Sequence, residues 1–155
     1  DETPPGGFGE FQSCAFRHAQ IAGGSLPIAD AALYGLSSVE GATAVLDTGS
    51  PVSIASKSFA AGAALFEEIE GSETPPLVTT GADGKATQLE ARIAAGLRLG
   101  TGADFMQQRI FVGDLPMAAA CGVEPSQSFL LVGMDVLGKV ITFDLRTRTL
   151  HLFAK

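Results

Sequence analysis

An apolar run at residues 44–46 stops at a carboxylate, Asp47, and the chain turns at once through Thr48, Gly49 and Ser50, giving "AVLDTGS". Few local features restrict a fold more. The end of a buried strand is a costly place for an ionised group, and small residues directly after it mark a backbone that comes close to something else. Two readings follow from the residues. Asp47 caps a tight turn, as Asp before Thr-Gly commonly does, or the site is built to use a carboxylate kept partly out of water.

The rest of the chain reads mostly as short strands. "SCAFRHAQIAG" and "LPIADAALYGL" are half-apolar and punctuated by Gly and Pro. "ASKSFAAGAALFEEIEG" has helical spacing at Phe59, Ala63 and Phe66, with Gly71 as its stop. Asp83-Gly84 is a favoured tight-turn pair, with residues 78–82 and 85–93 as the arms of a hairpin. "QQRIFVGDL" is a further strand, and "MAAACGVEPSQS" reads as an irregular connection. "FLLVGMDVLGKVITFDLRTRTLHLF" predicts a strand, a short helix and a closing hairpin that turns near residues 146–148. There, Ile141, Phe143 and Leu145 alternate, as do Leu150 and Leu152.

Composition bounds the possibilities. With 155 residues, 46% hydrophobic and 17% charged, the chain suits one packed domain and not a disordered segment. Pro4, Pro5, Gly6, Gly7 and Gly9 make residues 1–12 a flexible lead-in to a domain at 13–155. A net charge of −7 opposes nucleic-acid binding and docking on an anionic membrane. The most apolar stretch is interrupted by Gly133, Asp135, Gly138 and Lys139, so membrane insertion of this segment is not expected. The start "DETPPGGFGE" has no Met and no apolar signal core, and reads as a processed or excised piece. Cys14 and Cys121 lack metal-like spacing; a disulfide and two free thiols both remain open.

Three stretches in order resemble the retropepsin-like aspartic proteases, the single-domain relatives of pepsin. "LDTGS" matches the catalytic loop, "TTGADGKAT" falls at the flap hairpin, and "FLLVGMDVL" is similar to the second signature, an apolar pair and a Gly before a short helix. The resemblance implies a mostly β, single-domain acid-protease barrel with a flap hairpin and one or two short helices. It implies an aspartic endopeptidase that cleaves peptide or protein substrates without a cofactor or metal. Asp47 is then the catalytic residue and Thr48, Gly49 and Ser50 support its loop. Thr80, Gly81, Ala82, Asp83 and Gly84 are the flap residues that would meet substrate, although no aromatic or apolar side chain stands at that tip.

The chemistry needs two carboxylates close enough to share one proton. Like charges about 3 Å apart cannot both ionise, the effect best known from the aspartic-protease dyad itself. One carboxyl donates to the scissile carbonyl oxygen while its ionised partner takes a proton from the attacking water. By resemblance, Thr48 reaches across to its counterpart in the other half. The Gly49 N–H is expected to bond the carboxylate, and the Ser50 hydroxyl to donate to its outer oxygen, which favours an acidic optimum.

The sequence holds one D-T-G. Asp83, Asp114 and Asp135 are not followed by Thr-Gly, so a second Asp47 is expected from another copy of the chain in a homodimer. Alternatives are one lobe of a larger two-lobed protease, or a non-catalytic module for dimerisation or peptide binding. Residues 131–135 read as scaffold and not as chemistry. His18 and His151 are isolated, and Ser50 and Ser53 have no paired His. An acidic optimum and a Cys14–Cys121 pairing would lean towards an exported or periplasmic setting.

Overall fold

The computed structural model describes residues 11–68, 75–80, 84–138 and 141–153. Among the described residues, eleven strands and three short helices run in the order β1 (Phe11–Ala15), β2 (Arg17–Ile21), β3 (Gly24–Tyr34), β4 (Ser38–Leu46), β5 (Ile54–Ala55), α1 (Lys57–Ala63), β6 (Leu77–Thr80), β7 (Ala86–Leu99), β8 (Ala103–Val112), α2 (Pro116–Ala120), β9 (Phe129–Val132), α3 (Met134–Leu137), β10 (Ile141–Asp144) and β11 (Thr149–Phe153). The larger sheet has the order β2-β3-β4-β9-β5-β8-β7-β6, and a further pairing of β3 with β7 closes six of its strands into a ring. The smaller sheet, β1-β11-β10, joins the first described strand to the last two. Phe11 and Gln12, at the end of the expected lead-in, pair there with Phe153 and Leu152.

The long second arm of the hairpin makes the closure possible. The start of β7 pairs with β6, while its end, from Gly96 to Leu99, pairs with Tyr34 to Ala31 of β3. At the centre, β4 and β9 run parallel in the register Thr43–Phe129 to Leu46–Val132. β9 and the last residues of β4 are buried on both faces. Ala44, Leu46, Leu130 and Val132 enter one apolar cluster, and Val45, Phe129 and Leu131 enter the other. That two-sided burial explains why both segments read as unbroken apolar runs.

The helix after the Asp47 loop is shorter than its spacing predicts. It ends at Ala63, and Ala64 turns left-handed at φ 50 without a glycine. Phe66 then exchanges two backbone hydrogen bonds with Ile93, at 2.9 and 2.8 Å. Pairing with β7 wins over helix propensity, which is a weak preference; the expected stop at Gly71 lies outside the described residues. The stretch read as an irregular connection opens with the last four residues of α2, a helix begun by Pro116 just before it. The closing hairpin is present, with Leu150 and Leu152 buried, but Leu145 is 69% exposed, beyond the end of β10.

Ser56 ties α1 to the central strands. Its buried hydroxyl oxygen accepts from the Phe59 N–H at 3.3 Å, capping the helix, and from the Phe129 N–H at 3.1 Å. Ser56→Ala leaves both donors without that acceptor. The expected loss is about 1–3 kcal/mol, read as a lower urea midpoint at unchanged slope.

Both thiols are free, and they lie in different regions. Cys14 is buried in the cluster beneath the smaller sheet, and Cys121 packs against the other cluster. Burial pushes the Cys14 thiol up to about 11, so it is a poor nucleophile. The pairing that leaned towards export is not formed.

Candidate functional site

Asp47 sits just past β4, where the strand pair ends. Its N–H donates to the Val132 carbonyl at 2.9 Å, extending the β4–β9 ladder by one residue. The chain then crosses the end of β9, because β5, next in sequence, lies on the far side of β9 in the sheet. Gly133 occupies the crossing. A Cβ there would stand 2.3 Å from the Val52 carbonyl oxygen and 2.7 Å from that of Ser50. The two sequence signatures are therefore in direct contact, and the glycine in the second is required by the path of the first.

Within the loop, the Gly49 N–H donates to Asp47 Oδ1 at 2.9 Å, and the Ser50 N–H to the Asp47 carbonyl at 3.2 Å. Asp47 is half-buried, whereas Thr48 and Gly49 are exposed. Among the described residues, Asp47 Oδ2 takes no hydrogen bond, and neither does the Thr48 hydroxyl. The Gly49 bond is the one the sequence led us to expect. The Ser50 bond is not: its hydroxyl donates to the Val52 carbonyl at 2.7 Å and not to the outer oxygen of Asp47. A backbone carbonyl two residues on captures the hydroxyl, a local side-chain-to-backbone bond of the kind serine readily makes. The acidic optimum inferred from that hydroxyl loses its support.

The other described aspartates near or beyond this loop are engaged elsewhere. Asp114 accepts from the Lys57 N–H at 3.0 Å, at the start of α1. Asp30 pairs with Arg17 and Asp104 with Arg98. Asp144 accepts from the N–H groups of Thr147 and Arg146 in the last turn, and those bonds, Thr147 first, hold its carboxyl below the usual range. Asp135 is bonded to Ser53, at 3.0 Å to its N–H and 2.7 Å to its hydroxyl. Each of these carboxylates is bonded to a partner other than Asp47.

The β6–β7 hairpin lies where the flap was expected, with one correction to its register. A two-residue turn on Asp83-Gly84 would set Thr80 opposite Thr87; the observed partner is Ala86. An odd number of residues separates the paired positions, and Gly84 has φ +74, a conformation glycine adopts without strain. Thr80 is exposed. Gly81, Ala82 and Asp83 lie outside the described residues.

Among solved structures, the chain is similar to the crystal structure of a retropepsin-like aspartic protease from Rickettsia conorii, with a TM-score of 0.50 over 93% of this chain and 92% of that one. The fold is retropepsin-like. Sequence identity between the two is 18%, so what they share is the architecture. No protein-family model and no curated protein sequence matches the chain. In this retropepsin-like fold, the loop of the first signature and the glycine of the second meet at the β4–β9 end, and the hairpin β6–β7 projects from the closed ring.

Two described cavities, of about 480 and 340 Å³, lie elsewhere. The larger is lined by Lys57, Ala61, Leu65, Glu90 and Arg92, between α1 and β7, and the smaller by Tyr34, Gly96, Arg98 and Met106. Among the described residues no group of three or more His, Cys, Asp or Glu side chains could hold a metal ion, and no helix is long and apolar enough to cross a membrane. His18 packs its ring edge-on to Phe16, 5.5 Å between centroids.

Proposed function

We propose that the chain is an aspartic endopeptidase that works as a homodimer, each copy supplying one Asp47. The observation that carries this reading is the state of Asp47 itself. It is a half-buried carboxylate at the end of the central strand pair, with one oxygen held by its own loop and the other unbonded among the described residues. Every other described aspartate is bonded to a structural partner, which leaves Asp47 as the described aspartate available for chemistry.

A second Asp47 related by a twofold axis completes the dyad. One carboxyl of the pair keeps the shared proton and donates it to the scissile carbonyl oxygen; the other draws a proton from the water between them, which attacks the carbonyl carbon. The Gly49 N–H fixes one oxygen of its own chain's carboxylate by donating to it. The exposed Thr48 is free to brace its counterpart across the axis. Ser50 stiffens the loop through Val52. Thr80 and Gly84, with residues 81–83 between them, would cover an extended peptide laid along the cleft. A cleft on a twofold axis is half-built by either chain alone.

The test is a peptide-library digest across pH with and without a pepstatin-type inhibitor. Cleavage that the inhibitor blocks supports the reading; a pure, dimeric protein that cleaves nothing in the library sinks it. Assembly has its own signature. Two chains of −7 repel each other at neutral pH, and the repulsion eases as carboxylates protonate or as salt screens them. Sedimentation is expected to show a tighter dimer in mild acid or added salt. A tighter dimer at high pH and low salt contradicts it.

A further inference from the structure

Asp135 reads in the sequence as part of the scaffold, yet its carboxylate holds the far end of the Asp47 loop. Three donors converge on it. The Ser53 N–H reaches Oδ2 at 3.0 Å, the Ser53 hydroxyl reaches Oδ1 at 2.7 Å, and the Val136 N–H reaches Oδ1 at 2.9 Å. Ser53 is fully buried, at 0% exposure, and its oxygen in turn accepts the Gly133 N–H at 2.9 Å. Closer to Asp47, the Ser50 carbonyl accepts the Met134 N–H at 2.8 Å, and the Asp47 N–H is bonded to the Val132 carbonyl at 2.9 Å. The loop from Asp47 to Ser53 is thereby bonded at its start, middle and end to consecutive residues of the second signature.

We propose that Asp135 is a positioning residue for Asp47, acting through Ser53 and the Gly133 crossing; this rests on the reading of Asp47 as the catalytic acid. An ionised carboxylate only accepts hydrogen bonds, which suits a site where all three neighbours donate. Asn in its place presents an NH₂ group on one side. Turned one way, that group opposes the Ser53 N–H; turned the other, it opposes the Val136 N–H. Either way one end of the frame opens, and the crossing that sets the height of Ser50 and Gly49 relaxes. Reaction geometry is sensitive to such displacements even when binding is not.

The experiment compares wild type, Asp135→Asn, Ser53→Ala and the double variant. It reads melting temperature, kcat and KM on a library-derived peptide, and the Gly49 amide resonance, which reports the bond to Asp47 Oδ1. The expected result is a fall of about tenfold in kcat at similar KM in each single variant, a shifted Gly49 resonance, and a double variant no worse than the poorer single. If Asp135→Asn does not fold, Ser53→Ala carries the same comparison. Unchanged kcat with an unmoved Gly49 resonance in a folded variant overturns the proposal, as do losses that multiply in the double variant or that follow melting temperature alone. Should wild type itself cleave no peptide, the peptidase reading fails by itself. The Gly49 resonance then decides this proposal: a shift supports it and no shift overturns it.

Discussion

Asp47→Asn abolishes peptide cleavage while the protein stays folded: that is the expected result with the largest effect on activity. Asn retains an oxygen that can accept the Gly49 N–H, so the loop geometry at 2.9 Å need not change, and the half-buried position tolerates a neutral amide. The amide can neither share the dyad proton nor take one from water. Each such proton-transfer role is worth about 10²–10⁴-fold in rate, and in a homodimer the substitution removes both at once. The control is a melting curve that matches wild type.

Mixing sharpens the test. If the cleft lies on a twofold axis, exchanging equal amounts of variant and wild type leaves about one quarter of the dimers with two Asp47 carboxylates. Activity per wild-type chain then falls by about half. A folded variant that still cleaves removes the enzyme proposal. Undiminished activity on mixing, with exchange confirmed, removes the shared-site arrangement and points to a second lobe on another segment.

Gly133→Ala has the largest expected effect on stability. Its new Cβ would stand 2.3 Å from the Val52 oxygen and 2.7 Å from the Ser50 oxygen, and both are backbone atoms. Neither can swing aside as the end of a long side chain could. Both belong to the loop that Val132, Met134 and Asp135 hold in place. A cost of about 3 kcal/mol, the upper end of what overpacking usually does, is expected, set against a typical total of about 5–15 kcal/mol. The protein that remains folded should also lose activity, because the loop that yields is the one that carries Asp47. Urea unfolding and peptide turnover measure the two effects. A variant as stable and as active as wild type would falsify the close crossing of the two signatures.

Much of the local geometry around Asp47 was legible because its signals are local. A strand that ends in Asp-Thr-Gly announces both the carboxylate and the close backbone approach, and the Gly49 N–H bond follows from that geometry. The alternation at Leu150 and Leu152 identified the last hairpin correctly. Where local signals compete, sequence reading chose wrongly. The Ser50 hydroxyl, expected on the Asp47 carboxylate, bonds the Val52 carbonyl instead. The α1 segment had helical spacing through Phe66, and β7 claimed Phe66 for a ladder. The hairpin turn had the right glycine in the wrong register.

By itself, then, the sequence determined the chemistry on offer: one Asp-Thr-Gly, a β-rich chain, and glycines at the points of closest approach. Only the tertiary structure decided that β9 is inserted between β4 and β5, that Gly133 lies under the Asp47 loop, and that Asp135 holds Ser53 across 82 residues of chain. The reason is physical. Hydrophobic period and turn chemistry act over a few neighbouring residues, whereas strand order and side-chain partners are settled by which distant surfaces exclude water together.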